Sequence, residues 1–163
     1  MSGKIDDAGA QAICGSSENK RSHSLSAHAG GGSLCGLKKI AKDHGIERGV
    51  ILSAIGSLKN VVFVNVRPHT GIPVKAEYMI EIEEAGPFEL LSLGGDFFPS
   101  LEDGEPVVHL HAILGTSSGS VSGGHLLKAT VFTTAGIILG SIAGSSVYKA
   151  KSDVTRRMEL LKG

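Results

Sequence analysis

The sequence contains no tryptophan, and aromatic residues make up only 4% of the chain. Proteins that bind single-stranded nucleic acid stack bases on aromatic side chains, so this mode of binding is not expected here. A basic surplus is also missing, because 16 lysine and arginine residues balance 16 acidic residues. Proteins whose main activity is binding DNA phosphates usually carry such a surplus. The overall charge therefore does not favour that activity, although a local basic patch would be compatible with it.

Cysteines and long apolar runs are scarce as well. Cys14 and Cys35 are the only two cysteines and do not form a Cys-x-x-Cys motif, so we expect free thiols in a cytoplasmic protein. The weakly polar segment 129–143 is broken by glycine, serine and threonine and is too short to cross a bilayer. Residues 1–20 contain no apolar run, so we predict a mobile N-terminal extension rather than a secretory leader.

Glycine, by contrast, is abundant, with 23 residues in a chain of 163. This content favours a β-rich fold with many turns, and the length fits a single domain, which we place at residues 21–163. Apolar residues recur at helical spacing within residues 33–44, which predicts one helix packed on the sheet. The predicted class is therefore α+β.

Short apolar segments bounded by turn residues predict the strands. Residues 49–55 and 61–66 have strand patterns and are separated by the turn-like sequence GSLKN at 56–60. Near the end of the chain, residues 147–151 and 158–162 are expected to form a closing hairpin.

Three of the seven histidines lie in residues 104–127, where two strand-like segments are joined by small polar residues. His109 and His111 alternate with aliphatic residues, so they share one face of a strand, with Cα atoms about 7 Å apart. His125 lies on the return strand after Gly123 and Gly124, which leave open space or allow close backbone approach.

The register of this hairpin decides whether His125 joins the other two histidines. If the turn has odd length and is centred on Ser118, His125 lies opposite His111 on the same face, about 5 Å away. A two-residue turn at Ser118–Gly119 would instead place His125 opposite Ala112, facing away. Three imidazoles on one face would supply the nitrogen ligands of a zinc-type site with one open position. The alternative is a set of partly buried sheet histidines.

Three blocks in this order resemble the PPC (plants and prokaryotes conserved) domain: GPFELLSLGG at 86–95, GEPVVHLHAILG at 104–115 and GGHLL at 123–127. The resemblance extends from about residue 24 to residue 161. It implies an α+β fold with a twisted, mostly antiparallel β-sheet and one main flanking helix, assembled as a homotrimer. It also implies that His109, His111 and His125 bind a metal. Among divalent ions, zinc suits such imidazole ligands best, ahead of nickel, copper and iron.

Further site residues are expected around these histidines. The resemblance places the SxIGSL segment beside them, so Ser53 and Gly56 could line the same cavity, together with Gly124. The alternative for Ser53 and Gly56 is a tight turn in the core. Glu89 is an acid between two apolar strand residues. Its carboxylate could accept a hydrogen bond from a ligand histidine, pair across a subunit interface, or face solvent.

Three classes of function are compatible with these features. The family resemblance favours a DNA-associated regulatory or assembly protein, yet the chain has no Arg-Gly-Arg-Pro core of an AT-hook and no helix-turn-helix pattern. A metal-dependent enzyme would need a general base beside metal-bound water, for which Glu89 or Glu105 are the candidates. The third class is a trimeric module that binds a small ligand at the metal. We favour a regulatory homotrimer with a three-histidine metal site and only weak DNA binding by the bare domain.

Overall fold

The computed structural model describes residues 36–155 and 157–162, together with the backbone of Ala10–Gln11 and Ser22–His28. Cys14, Cys35 and most of the predicted extension lie outside these residues. The strands are β1 (Ala10–Gln11), β2 (Ser22–His28), β3 (Gly49–Val66), β4 (Met79–Pro99), β5 (Pro106–Gly115), β6 (Val121–Ser141), β7 (Val147–Lys151) and β8 (Met158–Lys162). Helix α1 spans Leu37–Asp43, and a 3₁₀ turn, Ala76–Tyr78, precedes β4.

The main sheet has six strands in the order β1-β2-β6-β3-β4-β5, and all of its pairings are antiparallel. Strand β5 also pairs with β6, so β3, β4, β5 and β6 form a closed ring. Strands β7 and β8 form a separate two-stranded sheet. The predicted α+β class with a twisted, mostly antiparallel sheet and one flanking helix is confirmed.

The core lies inside the ring of strands. Leu110, Ala112 and Leu114 of β5 are buried in it, so the alternate residues of this strand, including His109 and His111, face outward. Helix α1 buries Leu37 and Ala41 against the same core. The helix ends before Gly45, whose φ of +65° is a left-handed conformation that favours glycine.

The prediction of two strands at residues 49–66 was wrong, because these residues form one continuous strand, β3. Leu58, in the middle of the supposed turn, is fully buried and pairs with Phe88 and Val131. Register shifts on either side of Leu58 accommodate the glycine and polar residues of this stretch. Burial of one leucine therefore keeps the chain in the sheet, and the turn-like composition produces β-bulges instead.

The predicted closing hairpin is confirmed as β7 and β8, with the expected bounds. It docks on the main sheet through the backbone of Lys149, whose carbonyl accepts a hydrogen bond of 2.9 Å from the Leu101 N–H. The Arg48 side chain holds the start of β7, since its Nε donates to the Val147 carbonyl at 3.1 Å. Among the described residues, no helix has the length and apolar character of a membrane span.

Candidate metal centre

The turn between β5 and β6 sets the register of the histidine hairpin. Within residues 116–120 the Thr116 N–H donates to the Ser120 carbonyl at 2.9 Å, and the Gly119 N–H donates to the Thr116 carbonyl at 3.0 Å. Gly119 has a φ of +82°, which favours glycine at this position. The turn has odd length and is centred on Ser118, so His125 pairs with His111. The first of the two predicted registers is the observed one.

The three imidazole rings converge on the outer face of the sheet. Their centroids are 5.0 Å apart for His109 and His111, 4.8 Å for His109 and His125, and 5.3 Å for His111 and His125. The Nε2 atoms of His109 and His111 are 3.1 Å apart. One nitrogen from each ring can be chosen so that all three lie within 4.8 Å of one another.

The surroundings of His109 and His125 favour the neutral form of these two imidazoles. Burial lowers the pKa of His109, and the positive charge of Lys149 lowers it further. Burial also lowers the pKa of His125, to about 4, with contributions from His109, His111, Arg157 and Lys149. A metal ion binds only deprotonated imidazole, so these rings are prepared for a ligand role at neutral pH.

Asn65, on β3, positions the backbone around His125. Its Oδ1 accepts a hydrogen bond of 3.3 Å from the His125 N–H, and its Nδ2 donates to the Gly123 carbonyl at 3.2 Å. Gly124 lies against the Asn65 carboxamide, with no room for a Cβ and with a φ of +156°. Gly124 therefore allows the close approach of Asn65, whereas Gly123 allows the close approach of the Ala112 backbone on β5. The sequence analysis missed Asn65, because it contacts residues 58 and 60 positions away in the chain.

The histidines form one side of a cavity of about 660 Å³. The hairpin β7–β8 forms another side and contributes Lys149, Lys151, Arg157 and Met158. Lys149 is only 1% exposed and forms an ion pair with Asp96 of β4. This pair was also missed by the sequence analysis, since no local pattern links residues 96 and 149.

Only part of the predicted surrounding set reaches this cavity. Gly124 lines it, whereas Ser53, Gly56 and Glu89 are not among its lining residues. Glu89 is exposed and pairs with Gly115, four positions along β5 from His111. The other candidate base, Glu105, is exposed and lies 3.8 Å from the Lys42 ammonium group. The structure therefore brings neither acid to the histidines.

The donor set fits a zinc-type ion. Zinc bound to three imidazoles at about 2.0–2.1 Å in tetrahedral geometry requires nitrogens about 3.3 Å apart. The 3.1 Å separation of the His109 and His111 nitrogens is close to this spacing, and one nitrogen of His125 lies within 4.8 Å of a nitrogen on each of the other two rings. The cavity beside the rings leaves room for water or a ligand at a further coordination position.

The fold and site together define a small β-rich domain with a candidate three-histidine metal centre. Residues 14–143 match the model of the Plants and Prokaryotes Conserved (PCC) domain. The chain belongs to this family, as its three sequence blocks predicted.

Solved structures share the fold over most of the chain. The plant- and prokaryote-conserved protein of Pyrococcus horikoshii is 31% identical, with a TM-score of 0.71 over 88% of this chain and 94% of that chain. A metal-containing protein of Archaeoglobus fulgidus is 26% identical, with a TM-score of 0.72 over 87% of this chain and 94% of that one. A proposed DNA-binding protein of Bacteroides thetaiotaomicron, 18% identical, shares the fold with a TM-score of 0.76 over 94% of this chain and 98% of that chain.

One curated relative is a much longer protein. The chain is 32% identical over 125 residues to the bifunctional protein GlmU of Synechococcus, and the match covers 76% of this chain but 17% of that protein.

Proposed function

We propose that this chain is a homotrimeric regulatory domain that binds one divalent metal ion per subunit, zinc in the first place, through His109, His111 and His125. The observation that carries this proposal is the convergence of three imidazoles, two of them with lowered pKa values, beside a cavity. The metal-containing relative from Archaeoglobus fulgidus also supports it. The bound ion would supply a Lewis-acidic anchor for a small ligand.

The protein contributes orientation and a partly desolvated surface. The strand pairing His111 with His125 places two donors side by side, and alternation along β5 adds His109. Asn65 holds the His125 backbone through its amide hydrogen bonds. Burial lowers the pKa of His109 and that of His125, so less free energy is needed to deprotonate these two rings when the metal binds.

Elemental analysis of tag-free protein tests the metal site. Wild type should carry one equivalent, and His111→Ala should lose it, because the metal would keep only two histidine ligands. The side chain of His111 is exposed, so its removal should leave the fold intact. His69→Ala and His44→Ala are the controls, since neither residue lines the cavity, and both should keep full metal content. Full metal content in His111→Ala, or none in wild type, would contradict the proposal.

The homotrimer is supported by an apolar outer surface. Large hydrophobic side chains are exposed on the outward face of the ring strands; examples are Leu52, Ile55, Leu91, Ile113, Val121, Phe132 and Ile138, exposed by 43–71%. Gly115 and Gly140 allow Leu91 and Leu52, respectively, to lie flat on the sheet. Extended apolar surfaces on soluble domains are usually covered by another subunit.

Light scattering tests this assembly directly. Wild type should have three times the mass of the chain, and the double variant Ile55→Ser/Phe132→Ser should shift it towards monomer. Two exposed residues away from this face, changed together in Lys39→Ser/Lys42→Ser, provide a matched control. A monomeric wild type at micromolar concentrations would refute the trimer.

DNA association is a second function, suggested by the proposed DNA-binding protein that shares this fold. The balanced charge of the chain indicates that the bare domain contributes little phosphate affinity of its own.

The cationic character of the cavity favours ligand binding over hydrolysis at the metal, because the described lining includes lysine and arginine but no carboxylate that could act as a base.

A further inference from the structure

We infer that the cavity beside the histidines binds a small organic anion, with Lys151 and Arg157 contacting its anionic group and a valine- and methionine-rich wall contacting its apolar part. This inference deepens the proposed ligand-binding function of the same site and rests on it. The chemical class is an organic acid or phosphate ester with an apolar body. A volume of about 660 Å³ is sufficient for such a molecule.

The charge of the cavity selects an anion. Three of its described lining residues are cationic, Lys149, Lys151 and Arg157, and none is an aspartate or glutamate. Lys149 is neutralised by its ion pair with Asp96. The other ion pairs among the described residues involve neither Lys151 nor Arg157. Two positive charges therefore remain available for a ligand.

The exposed side chain of Arg157 contacts the edge of the cavity. Its Nη2 lies 2.7 Å from the Met79 Sδ, and Met79 is itself a lining residue. Arg157 and the three histidines line the same cavity. An anionic group bound between Arg157 and a metal ion would interact with both charges.

The remaining wall is apolar. It is built from β3, β5, the start of β4 with the segment before it, and the start of β8. Its apolar residues are Val64, Val66, Val74, Met79, Val107, Val108 and Met158. Val66 and Met158 are still 51% and 40% exposed, so part of this wall is accessible to a ligand. Burial of each methylene group of a ligand against such a surface removes apolar area from water and favours binding. A longer apolar body should therefore increase affinity.

The cationic side of the cavity lies outside the segment that defines the family. The family model matches residues 14–143, which include the three histidines. Lys149 and Lys151 belong to β7, and Arg157 lies in the connection between β7 and β8. The buried ion pair of Lys149 with Asp96 fixes this hairpin against β4. The residues that determine specificity for an anion therefore lie in the β7–β8 hairpin, which the family model does not cover.

Calorimetric titration of the full chain tests the inference with defined probes. Hexanoate and hexyl phosphate represent the two anionic groups, and acetate and inorganic phosphate lack the apolar body. Each probe is titrated into zinc-loaded and chelator-treated protein. Hexanoate or hexyl phosphate should bind more tightly than its short counterpart, and the stronger of the two identifies the preferred anionic group.

The variant Lys151→Gln/Arg157→Gln should weaken binding of the preferred probe about 10- to 100-fold, as expected for the loss of charged hydrogen bonds. The matched control, Lys59→Gln/Lys128→Gln, removes the same charge from exposed residues that do not line the cavity and should bind as wild type does. All variants replace exposed residues, and circular dichroism verifies their folding. Zinc content should not change in either variant.

The two proposals fail in different ways. If elemental analysis finds no metal in wild type, yet wild type binds hexanoate and only the cavity variant loses this binding, the metal site is refuted and the anion site is supported. Equal binding by wild type and the cavity variant, or equal losses in the cavity and control variants, would overturn the anion site whatever the metal content. Binding of acetate as tight as that of hexanoate would overturn the apolar wall.

Discussion

Replacing Gly124 with alanine provides the sharpest test of how the histidine site is built. The added methyl group would overlap the carboxamide of Asn65, lying only 2.6 Å from its Cγ. The side chain of Asn65 would have to move and release the Gly123 carbonyl and the His125 N–H. Alanine would also have to adopt a φ near +156°, which L-residues rarely do.

The expected cost follows from these contacts. Each lost hydrogen bond contributes about 0.5–1.5 kcal/mol to the free energy of unfolding, and the backbone strain adds about 1–3 kcal/mol. The total is about 2–6 kcal/mol, which corresponds to a decrease of about 5–20 °C in the unfolding temperature of a domain of this size. Because His125 would move with its backbone, zinc affinity should fall about 10- to 100-fold.

Thermal unfolding of chelator-treated protein, followed by circular dichroism, measures the stability change. Gly94→Ala is the matched control, since Gly94 is also in a strand but a methyl group added to it would meet no heavy atom within 4 Å. The double variant Asn65→Ala/Gly124→Ala should be less destabilised than the sum of the single changes, because the overlap no longer occurs. Equal unfolding temperatures for Gly124→Ala and Gly94→Ala, or strict additivity, would refute this account.

Three other predictions concern charge. Because burial lowers the pKa of His109 and that of His125 (the latter to about 4), the folded protein binds fewer protons than the unfolded chain below pH about 6.5. Stability and zinc content should therefore fall as pH decreases from about 6.5 to about 4, and flat profiles in thermal unfolding and elemental analysis would contradict this. Asp96→Asn should lower the free energy of unfolding by about 3–5 kcal/mol, because it leaves the Lys149 ammonium group buried without its partner; adding Lys149→Met should recover part of the loss in denaturant titrations. DNA binding by the bare domain should be weak and decrease steeply with salt, since the chain has no net charge; tight, sequence-selective binding in fluorescence anisotropy at physiological salt would oppose this.

Local patterns in the sequence predicted much of this protein. A period of two residues placed His109 and His111 on one face, and alternating apolar residues placed β5 in the core. The closing hairpin β7–β8 was predicted with its observed bounds, because short strands separated by polar residues are specified by neighbours in the chain. Family resemblance added the overall fold and the expected ligand set.

Contacts between distant residues decided the rest. The two registers of the histidine hairpin have similar local patterns, and the hydrogen-bonded turn at residues 116–120 selected the one that brings His125 to His111. Because Leu58 is buried, residues 56–60, which were predicted to form a turn, are part of a continuous strand.

The composition of the site was set by the same kind of contact. Asn65 reaches His125 across the β3–β6 pairing, and the docking of β7 brings Lys149 to Asp96 from 53 positions away in the chain. Ser53, Gly56 and Glu89 lie on the same strands but away from the cavity. The sequence by itself thus determined which side chains could bind a metal. The tertiary structure decided which charges and amides surround them, because side chains that meet across strands leave no periodic signal in the sequence.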